Sequence, residues 1–144
     1  MMAGIRGKDT APEMMLRRAL HRRGFRYRLH VGDLPGRPDM VFPARRAIIM
    51  VHGCFWHGHD CHLFKWPASR QDFWREKIEG NRKRDEAVAS ALRAAGWRVL
   101  TVWECATKGR FRQKEEEIAD AAAVWLSGGT DNIELKGIRH GCTG

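Results

Sequence analysis

The chain has 144 residues, of which 43% are hydrophobic and 30% charged, a composition that excludes fibrous and disordered proteins and favours one folded domain over residues 1–144. The net charge of +9 favours a polyanionic partner such as nucleic acid. No apolar run reaches the roughly 18 residues of a membrane span. Residues 1–10 contain no apolar h-region, so we expect no signal peptide. We therefore expect an intracellular protein with reduced cysteines and no membrane partner.

The first predicted element is a helix that begins at Thr10 and ends near Gly24. Thr10 and Glu13 have the spacing of a capping box, and Pro12 suits a first helical turn. The alternating pattern of residues 25–31 then predicts a strand. The elements predicted next are a loop (32–38), strands (39–42 and 46–52), an irregular segment (53–67), a helix (69–96, interrupted near Gly80), a strand (97–104), a helix (111–129) and a weakly informative tail (130–144).

This order, α-β-β-β-α-β-α, predicts an α/β fold in which a mixed sheet is flanked by helices. Residues 46–52 (RAIIMVH) and 97–104 (WRVLTVWE) are apolar enough to be central strands. The sequence shows neither repeats nor low-complexity segments.

The irregular segment contains three candidate metal ligands with close spacing, Cys54, His59 and Cys61. Zinc requires four ligands in a tetrahedron, and the fourth can come from a neighbouring histidine, either His57 or His62, or from a distant residue. We favour Cys105, which follows a predicted central strand, and expect a closed Cys3His structural site with one zinc per chain. The alternative is that Cys105 is an ordinary buried core residue.

Three acidic residues are predicted to point toward the protein interior. Glu13 and Asp85 share helix faces with leucines, and Asp39 opens a strand after Pro38. A buried carboxylate is costly unless it is paired or binds a cation, so these acids could line one site. Taken singly, each also has a plain structural reading, as a cap partner, a surface ion pair with a nearby arginine, or a loop-end acid.

The Pro38-Asp39 pair before a hydrophobic strand resembles the PD-(D/E)xK nucleases, although the expected E-x-K is missing and His52 and His57 stand in that region. A narrower resemblance rests on LPGRPDMVF, HGCFWHGHDCHLFKWPASR, FWREKIEGNRKRD and GWRVLTVWECA. Together these segments resemble the very-short-patch-repair (Vsr) mismatch endonucleases, in one register over roughly residues 2–126. The resemblance implies a restriction-endonuclease-like fold and nicking of one DNA strand 5′ to the thymine of a T:G mismatch, the product of 5-methylcytosine deamination.

The resemblance also implies a role for each matching residue. Asp39 and the backbone carbonyl of Val51 match the Mg2+ ligands, although the family usually has threonine at position 51. His57 matches the general base, and the other residues grouped with it at the catalytic site match His52, Asp85 and Glu13. The family's structural zinc ligands correspond here to Cys54, His59, Cys61 and Cys105. Its residues that intercalate into DNA correspond to Phe55, Trp56, Trp74 and Met2.

Aromatic residues inserted between bases cost a few kcal/mol of unstacking, which is lowest at a weakened T:G pair. The alternative for Phe55 and Trp56 is packing under the loop that carries the metal ligands, and for Trp74 it is the core face of its helix. We assign Trp97, Trp103 and Trp125 to the core. Residues 1–9 match a shortened N-terminal arm.

The resemblance further implies a monomeric bacterial protein, cytoplasmic and associated with the nucleoid. Its partner is double-stranded DNA, with functional links to a cytosine-C5 DNA methyltransferase and to mismatch-repair proteins. Three other functions remain open from the residues alone: a zinc-stabilised DNA-binding module without cleavage, a restriction endonuclease cutting both strands, and a zinc hydrolase of small substrates.

Overall fold

A computed structural model of the chain describes residues 10–29 and 31–138. The helices are α1 (Ala11–Arg22), α2 (Gln71–Ala94), the short α3 (Glu104–Thr107) and α4 (Glu115–Gly128), with a 3-10 turn at Pro43–Arg45. The strands are β1 (Arg28–Leu29), β2 (Met40–Phe42), β3 (Ala47–His52), β4 (Arg98–Trp103) and β5 (Ile133–Leu135). No described helix is long and apolar enough to cross a membrane.

The five strands form one mixed sheet in the order β1-β2-β3-β4-β5. The first three are antiparallel neighbours, whereas β3 pairs with β4, and β4 with β5, in parallel. The prediction of a mixed sheet flanked by helices is confirmed, and β3 is its central strand. The parallel register ends with His52 opposite Trp103, so the chain leaves both strands at the same edge of the sheet.

Alternation along β3 divides its side chains between two cores. Ala47 and Ile49 face α1 and α4, where they pack with Leu16 and Ile118 among others. Ile48 and Met50 face the other side, where they pack with residues of β2, β4 and α2, namely Val41, Val99 and Leu92. Because both faces are covered, β3 reads as a continuous apolar run, which is typical of a central strand.

Thr10 caps α1 as the sequence predicts, since its side chain accepts a hydrogen bond from the Glu13 backbone N–H. The predicted strand over residues 25–31 is shorter, because β1 pairs only at Arg28 and Leu29 and Phe25 turns into the core. The predicted interruption near Gly80 is wrong, since α2 runs unbroken past it.

Two elements are absent from the predicted order. Residues 104–107 form α3, and the helix predicted from residue 111 begins only at Glu115. The tail supplies β5, which extends the sheet on the far side of β4.

Arg98 at the start of β4 fastens α4 to the sheet. Its guanidinium donates hydrogen bonds to the carbonyls of Trp125 (2.8 Å), Gly129 (2.6 Å), Leu126 (3.2 Å) and Arg45 (3.2 Å). One planar side chain with several donors therefore satisfies carbonyls at the C-terminal end of α4.

We expect Arg98→Met to lower the free energy of unfolding by about 2 kcal/mol, because it leaves these carbonyls without their charged donor. Urea unfolding followed by circular dichroism measures the change. Arg93→Met, at an exposed position on α2, is the matched control and should change stability by less than about 0.5 kcal/mol. Equal effects of the two substitutions would contradict this role of Arg98.

Candidate active site and metal centre

A cleft of about 870 Å³ opens where β3 and β4 end. Five of its lining residues are the candidates for catalysis, which the fold brings together from separate elements. They are Glu13 from α1, Asp39 before β2, His52 at the end of β3, His57 from the following loop and Asp85 from α2.

Asp39 is fixed at the end of β3 by a hydrogen bond from backbone to side chain. The Val51 N–H donates to Asp39 Oδ2 at 2.7 Å. Glu13 lines the same cleft, is buried, and accepts a hydrogen bond from Arg17 at 2.7 Å between Nη2 and Oε2. Two carboxylates therefore share one poorly hydrated part of the cleft.

Burial raises the pKa of Asp39 from 3.8 to about 7, while the hydrogen bond from Val51 opposes this change and the nearby Glu13 carboxylate adds to it. Ionising a carboxyl group that is buried beside another acid costs free energy, and a bound cation would offset that cost. The Asp39 site therefore suits a hard divalent cation, whose preferred ligands are carboxylate and carbonyl oxygens.

His57 and Asp85 form a close hydrogen-bonded pair, with 2.6 Å between Nδ1 and Oδ2. The alternative of a surface ion pair between Asp85 and a nearby arginine is wrong, since Asp85 pairs with His57, Arg84 donates to Asn81 and Arg82 donates to a backbone carbonyl. With Asp85 on Nδ1, the other ring nitrogen of His57 remains available for chemistry.

His52 lies flat against His57, with ring centroids 4.0 Å apart and an angle of 3° between the planes. Burial, with the neighbouring His57, lowers the pKa of His52 to about 4, so this ring is neutral at physiological pH. Its Nδ1 is buried without a hydrogen-bond partner among the described residues. His52, His57 and Asp85 have ligand atoms within 4.8 Å of one another. They do not suit a metal site, because the nitrogen lone pairs of two parallel imidazole rings do not point at one ion.

Helix α2 holds the loop around His57 through three consecutive loop residues. Asn81 Nδ2 donates to the Trp56 carbonyl at 2.7 Å, Asp85 bonds the His57 ring, and Arg82 donates to the Gly58 carbonyl. The backbone of Gly58 is left-handed (φ 58°) and lies close to α2. A Cβ added at Gly58 would lie 2.6 Å from the Arg82 side chain. The absence of a side chain there is therefore required by the packing.

Four potential metal ligands converge on the other side of this loop: Cys54, His59, Cys61 and Cys105. Their ligand atoms all lie within 4.8 Å of one another. His59 Nδ1 is 3.5 Å from Cys54 Sγ and 3.6 Å from Cys105 Sγ. A tetrahedral ion with metal–sulfur and metal–nitrogen bonds of about 2.3 and 2.05 Å requires a separation of about 3.55 Å. The cluster thus has the dimensions of a tetrahedral metal site.

The sulfur atoms of this cluster also accept backbone hydrogen bonds, as thiolates require. Cys105 N–H donates to Cys54 at 3.3 Å, Leu63 N–H to Cys61 at 3.4 Å and Gly137 N–H to Cys105 at 3.3 Å. Burial raises the pKa of Cys54 and of Cys105, a cost that a bound cation would reverse because it binds the thiolate form. The donor set therefore fits a metal ion such as zinc.

Trp103 joins the two groups of residues, which corrects its prediction as a plain core residue. One face stacks on His59, with centroids 4.0 Å apart and planes at 6°. His52 and His57 meet the same indole edge-on at 5.2 and 6.0 Å. Of the other two tryptophans predicted as core, Trp125 is buried and Trp97 packs against the second core.

The predicted intercalating residues form a half-buried aromatic cluster beside the cleft. Ring centroids are 5.1 Å apart for Phe55 and Trp56, 5.4 Å for Phe55 and Trp74, and 5.7 Å for Trp56 and Trp74. These rings pack on one another rather than in the main core. Met2 and the rest of residues 1–9 lie outside the described residues.

Sequence reasoning missed Asn81, Arg82, Trp103 and Gly137. Asn81 and Arg82 lie one turn before Asp85 on the same helix, and this spacing is the signal that could have grouped them. Gly137 carries no local signal, because its contact with Cys105 depends on β5 pairing with β4.

Comparisons with known proteins find several similar DNA endonucleases. A family model described as DNA mismatch endonuclease Vsr matches residues 1–63. The Escherichia coli DNA mismatch endonuclease Vsr is 44% identical over 95% of this chain and 89% of its own length. The Type II nicking enzyme V.XorIIP of Xanthomonas oryzae is 54% identical over 73% of this chain and 77% of its own. The Type II nicking enzyme V.NmeAIP of Neisseria meningitidis is 39% identical over 84% and 91% respectively.

A mixed sheet with a Cys3His cluster beside a cleft of acids and histidines defines the class, an α/β protein whose site carries a loop that could hold a metal ion. The chain belongs to the Vsr family of DNA mismatch endonucleases.

The raised pKa of Asp39 predicts a pH-dependent gain in stability for Asp39→Asn in metal-free buffer. The stability that Asp39 contributes is complete below about pH 4 and is lost as pH rises through about 7, because the folded state binds the proton more tightly. A rise of about 3 pKa units corresponds to at most roughly 4 kcal/mol. Asparagine carries no charge and keeps an acceptor for Val51.

Urea unfolding of both proteins at pH 5 and pH 8 measures this effect. The advantage of Asp39→Asn should grow by about 1–3 kcal/mol between these pH values. Asp33→Asn, at an exposed loop position, is the matched control and should show no such growth. A pH-independent difference between Asp39→Asn and the unmodified chain would refute the account of this carboxylate.

Proposed function

We propose that the chain nicks one strand of duplex DNA 5′ to the thymine of a T:G mismatch, through Mg2+-dependent phosphodiester hydrolysis that begins very short patch repair. Family membership makes it a Vsr-type DNA endonuclease. The observation that carries the finer proposal is the His57–Asp85 pair, 2.6 Å apart, in the same cleft as Asp39.

In this proposal His57 is the general base. Asp85 would accept a hydrogen bond from Nδ1–H, and in this tautomer of the neutral ring Nε2 is unprotonated and able to take a proton from the attacking water. The oxygen of that water forms a new bond to phosphorus while the bond to the leaving oxygen breaks. His52, neutral and stacked on His57, keeps the ring in place without adding a competing positive charge.

Asp39 and the backbone carbonyl of Val51 would hold Mg2+, and Glu13 stands at the edge of that site. When bound there, Mg2+ supplies positive charge that offsets the charge developing on the phosphate and the leaving oxygen. The presence of Val51 rather than threonine leaves a carbonyl role intact, since every residue has that oxygen. Asp39 is in turn oriented by the Val51 N–H, so a cation would meet a carboxylate that is already fixed.

The Cys3His cluster would hold one structural zinc. All four positions of the tetrahedron are filled by protein ligands, which leaves no open coordination site for substrate or water. This closed set argues against the alternative of a zinc hydrolase of small molecules.

Phe55, Trp56 and Trp74 would insert into the base stack beside the scissile phosphate. Half-buried rings that pack on one another present a rigid aromatic edge next to the cleft. A T:G pair is already weakened, so unstacking costs least there and the mismatch is favoured. The proposal includes Met2 in this insertion, a functional link to a cytosine-C5 methyltransferase and to mismatch-repair proteins, and action as a monomer in the bacterial cytoplasm.

Purified protein is expected to contain about one zinc per chain, by the four-ligand rule. Cys105→Ala should lose that zinc and lower the Tm by roughly 10 °C or more, since a domain of this size loses roughly 3 °C per kcal/mol. Elemental analysis and thermal unfolding measure the two effects. Cys142→Ala, which changes a cysteine that is not one of the four proposed ligands, should alter neither. A Cys105→Ala protein with full zinc content would contradict the ligand assignment.

A strand-specific nicking assay tests the catalytic proposal. The unmodified chain with Mg2+ should nick the T-containing strand of a T:G duplex and leave the matched T:A duplex intact. His57→Gln should slow nicking by roughly 10²–10⁴-fold, the usual contribution of a general base. Asp39→Asn should abolish nicking but retain binding to the mismatch.

The same assay separates the alternatives. Mismatch binding by the unmodified chain without any nicking would indicate a binding module. Double-strand breaks in matched duplex would indicate a restriction endonuclease, and activity that follows zinc rather than Mg2+ would indicate a zinc hydrolase. Any of these results would overturn the proposed function.

A further inference from the structure

The aromatic surface extends well beyond the three proposed intercalating residues. Phe55 contacts Phe64, with centroids 5.9 Å apart, and Phe64 contacts Trp66 at 4.9 Å. Together with Trp56 and Trp74 these rings form a connected set, the aromatic row, in which each ring contacts the next from the cleft-lining Phe55 and Trp56 out to Trp66. The row lies along the first turns of α2. Of the α2 residues there, only Trp74 has a role in the proposed function.

An arginine side chain is stacked at each of two places on this surface. The Arg75 guanidinium lies 5.0 Å from the ring centroid of Trp66. The Arg70 guanidinium lies 4.4 Å from that of Phe73, whose ring is in turn 5.0 Å from Trp74. Both arginines are exposed, and Phe73 is among the few exposed large hydrophobic residues.

Neither arginine has a hydrogen-bond acceptor within residues 10–29 and 31–138, and neither belongs to an ion pair there. Three other stacked arginines differ in this respect: Arg45, Arg46 and Arg98 also lie over aromatic rings, but each donates to backbone carbonyls. Arg110, 5.0 Å over the Phe111 ring, likewise has no acceptor among the described residues, but it lies away from the aromatic row. The guanidinium groups of Arg75 and Arg70 are thus positioned by aromatic rings, while their N–H groups have no acceptor among the described residues.

A guanidinium that rests on an aromatic face keeps its edge free, and that edge carries donors spaced to match a phosphate. Its position is already restricted by the ring, so less side-chain entropy is lost on binding an anion. The net charge of +9 favours a polyanion, and the aromatic row adjoins the cleft where a DNA phosphate is expected.

We propose that Arg75, stacked on Trp66, and Arg70, stacked on Phe73, bind backbone phosphates of the DNA strand that runs along the aromatic row. They would set the register of the duplex so that the aromatic edge meets the mismatch. This inference rests on the proposed function for its ligand, duplex DNA, but not for the T:G preference or for cleavage.

The test is the salt dependence of DNA binding, measured by fluorescence anisotropy in EDTA with labelled T:G and T:A duplexes of one sequence. Removing one phosphate contact should reduce the slope of log K against log salt by about 0.9. For Arg75→Gln and for Arg70→Gln this corresponds to about eight-fold weaker binding near 0.1 M salt, and to little change near 1 M. Both duplexes should be affected equally, because phosphates carry no sequence information.

Arg93→Gln is the matched control, since Arg93 is an exposed arginine of the same helix, 18 residues and about 27 Å beyond Arg75. It should leave the slope nearly unchanged. Trp66→Leu keeps the charge of Arg75 but removes its support, and should weaken binding by about 2–5-fold with the slope retained, the usual size of an exposed cation–π contact. Thermal unfolding shows whether each variant is folded.

Slopes for Arg75→Gln and Arg70→Gln equal to that of Arg93→Gln would overturn the inference, and the stacked arginines would then serve another anion. A different failure belongs to the proposed function: if the unmodified chain binds T:G and T:A duplexes equally and nicks neither, that proposal fails. The slope comparison would still decide the role of Arg75 and Arg70.

Discussion

The structure of the site depends on four side chains that meet between one loop and the end of one strand. Cys54, His59 and Cys61 belong to a loop with no regular secondary structure, whereas Cys105 follows β4 directly. Cys54 and Cys105 are buried, and burial raises the pKa of both thiols, so the thiolates that bind a metal would be costly without a cation. If one tetrahedral cation binds all four groups, it attaches the loop to the sheet.

The loop is held on its second side by α2, and His57 lies between these two attachments. Asn81 and Arg82 bind the carbonyls on either side of His57, and Asp85 binds its ring. Trp103 fills the space between His59 and His57, because it stacks on the first ring and contacts the second edge-on. A ring held this way would lose little freedom when substrate binds, which is the condition for the proton transfer that we propose for His57.

Local patterns were enough to predict the parts of the fold that are local. The Thr10 cap, the central strand β3 and the mixed sheet follow from capping chemistry and from apolar runs. The ligand spacing within residues 54–61 likewise predicted a cluster that the fold completes with Cys105. The features that the sequence did not predict depend on contacts between distant parts of the chain. The three residues of β5 become a strand only because β4 offers an edge. Gly80 does not break α2, because one glycine costs a helix only about 1 kcal/mol and the buried Ile78 and Leu92 hold the helix on either side of it. Trp103 reads as a core residue until His52 and His59 are seen against it.

The account depends most directly on one cation bound by Cys54, His59, Cys61 and Cys105. X-ray absorption at the zinc edge of the purified protein measures the ligand atoms themselves. The account predicts three sulfur neighbours at about 2.3 Å and one nitrogen neighbour at about 2.0–2.1 Å, with no exchangeable water. A shell dominated by nitrogen and oxygen, or a protein that folds and nicks DNA without any metal at this cluster, would contradict it.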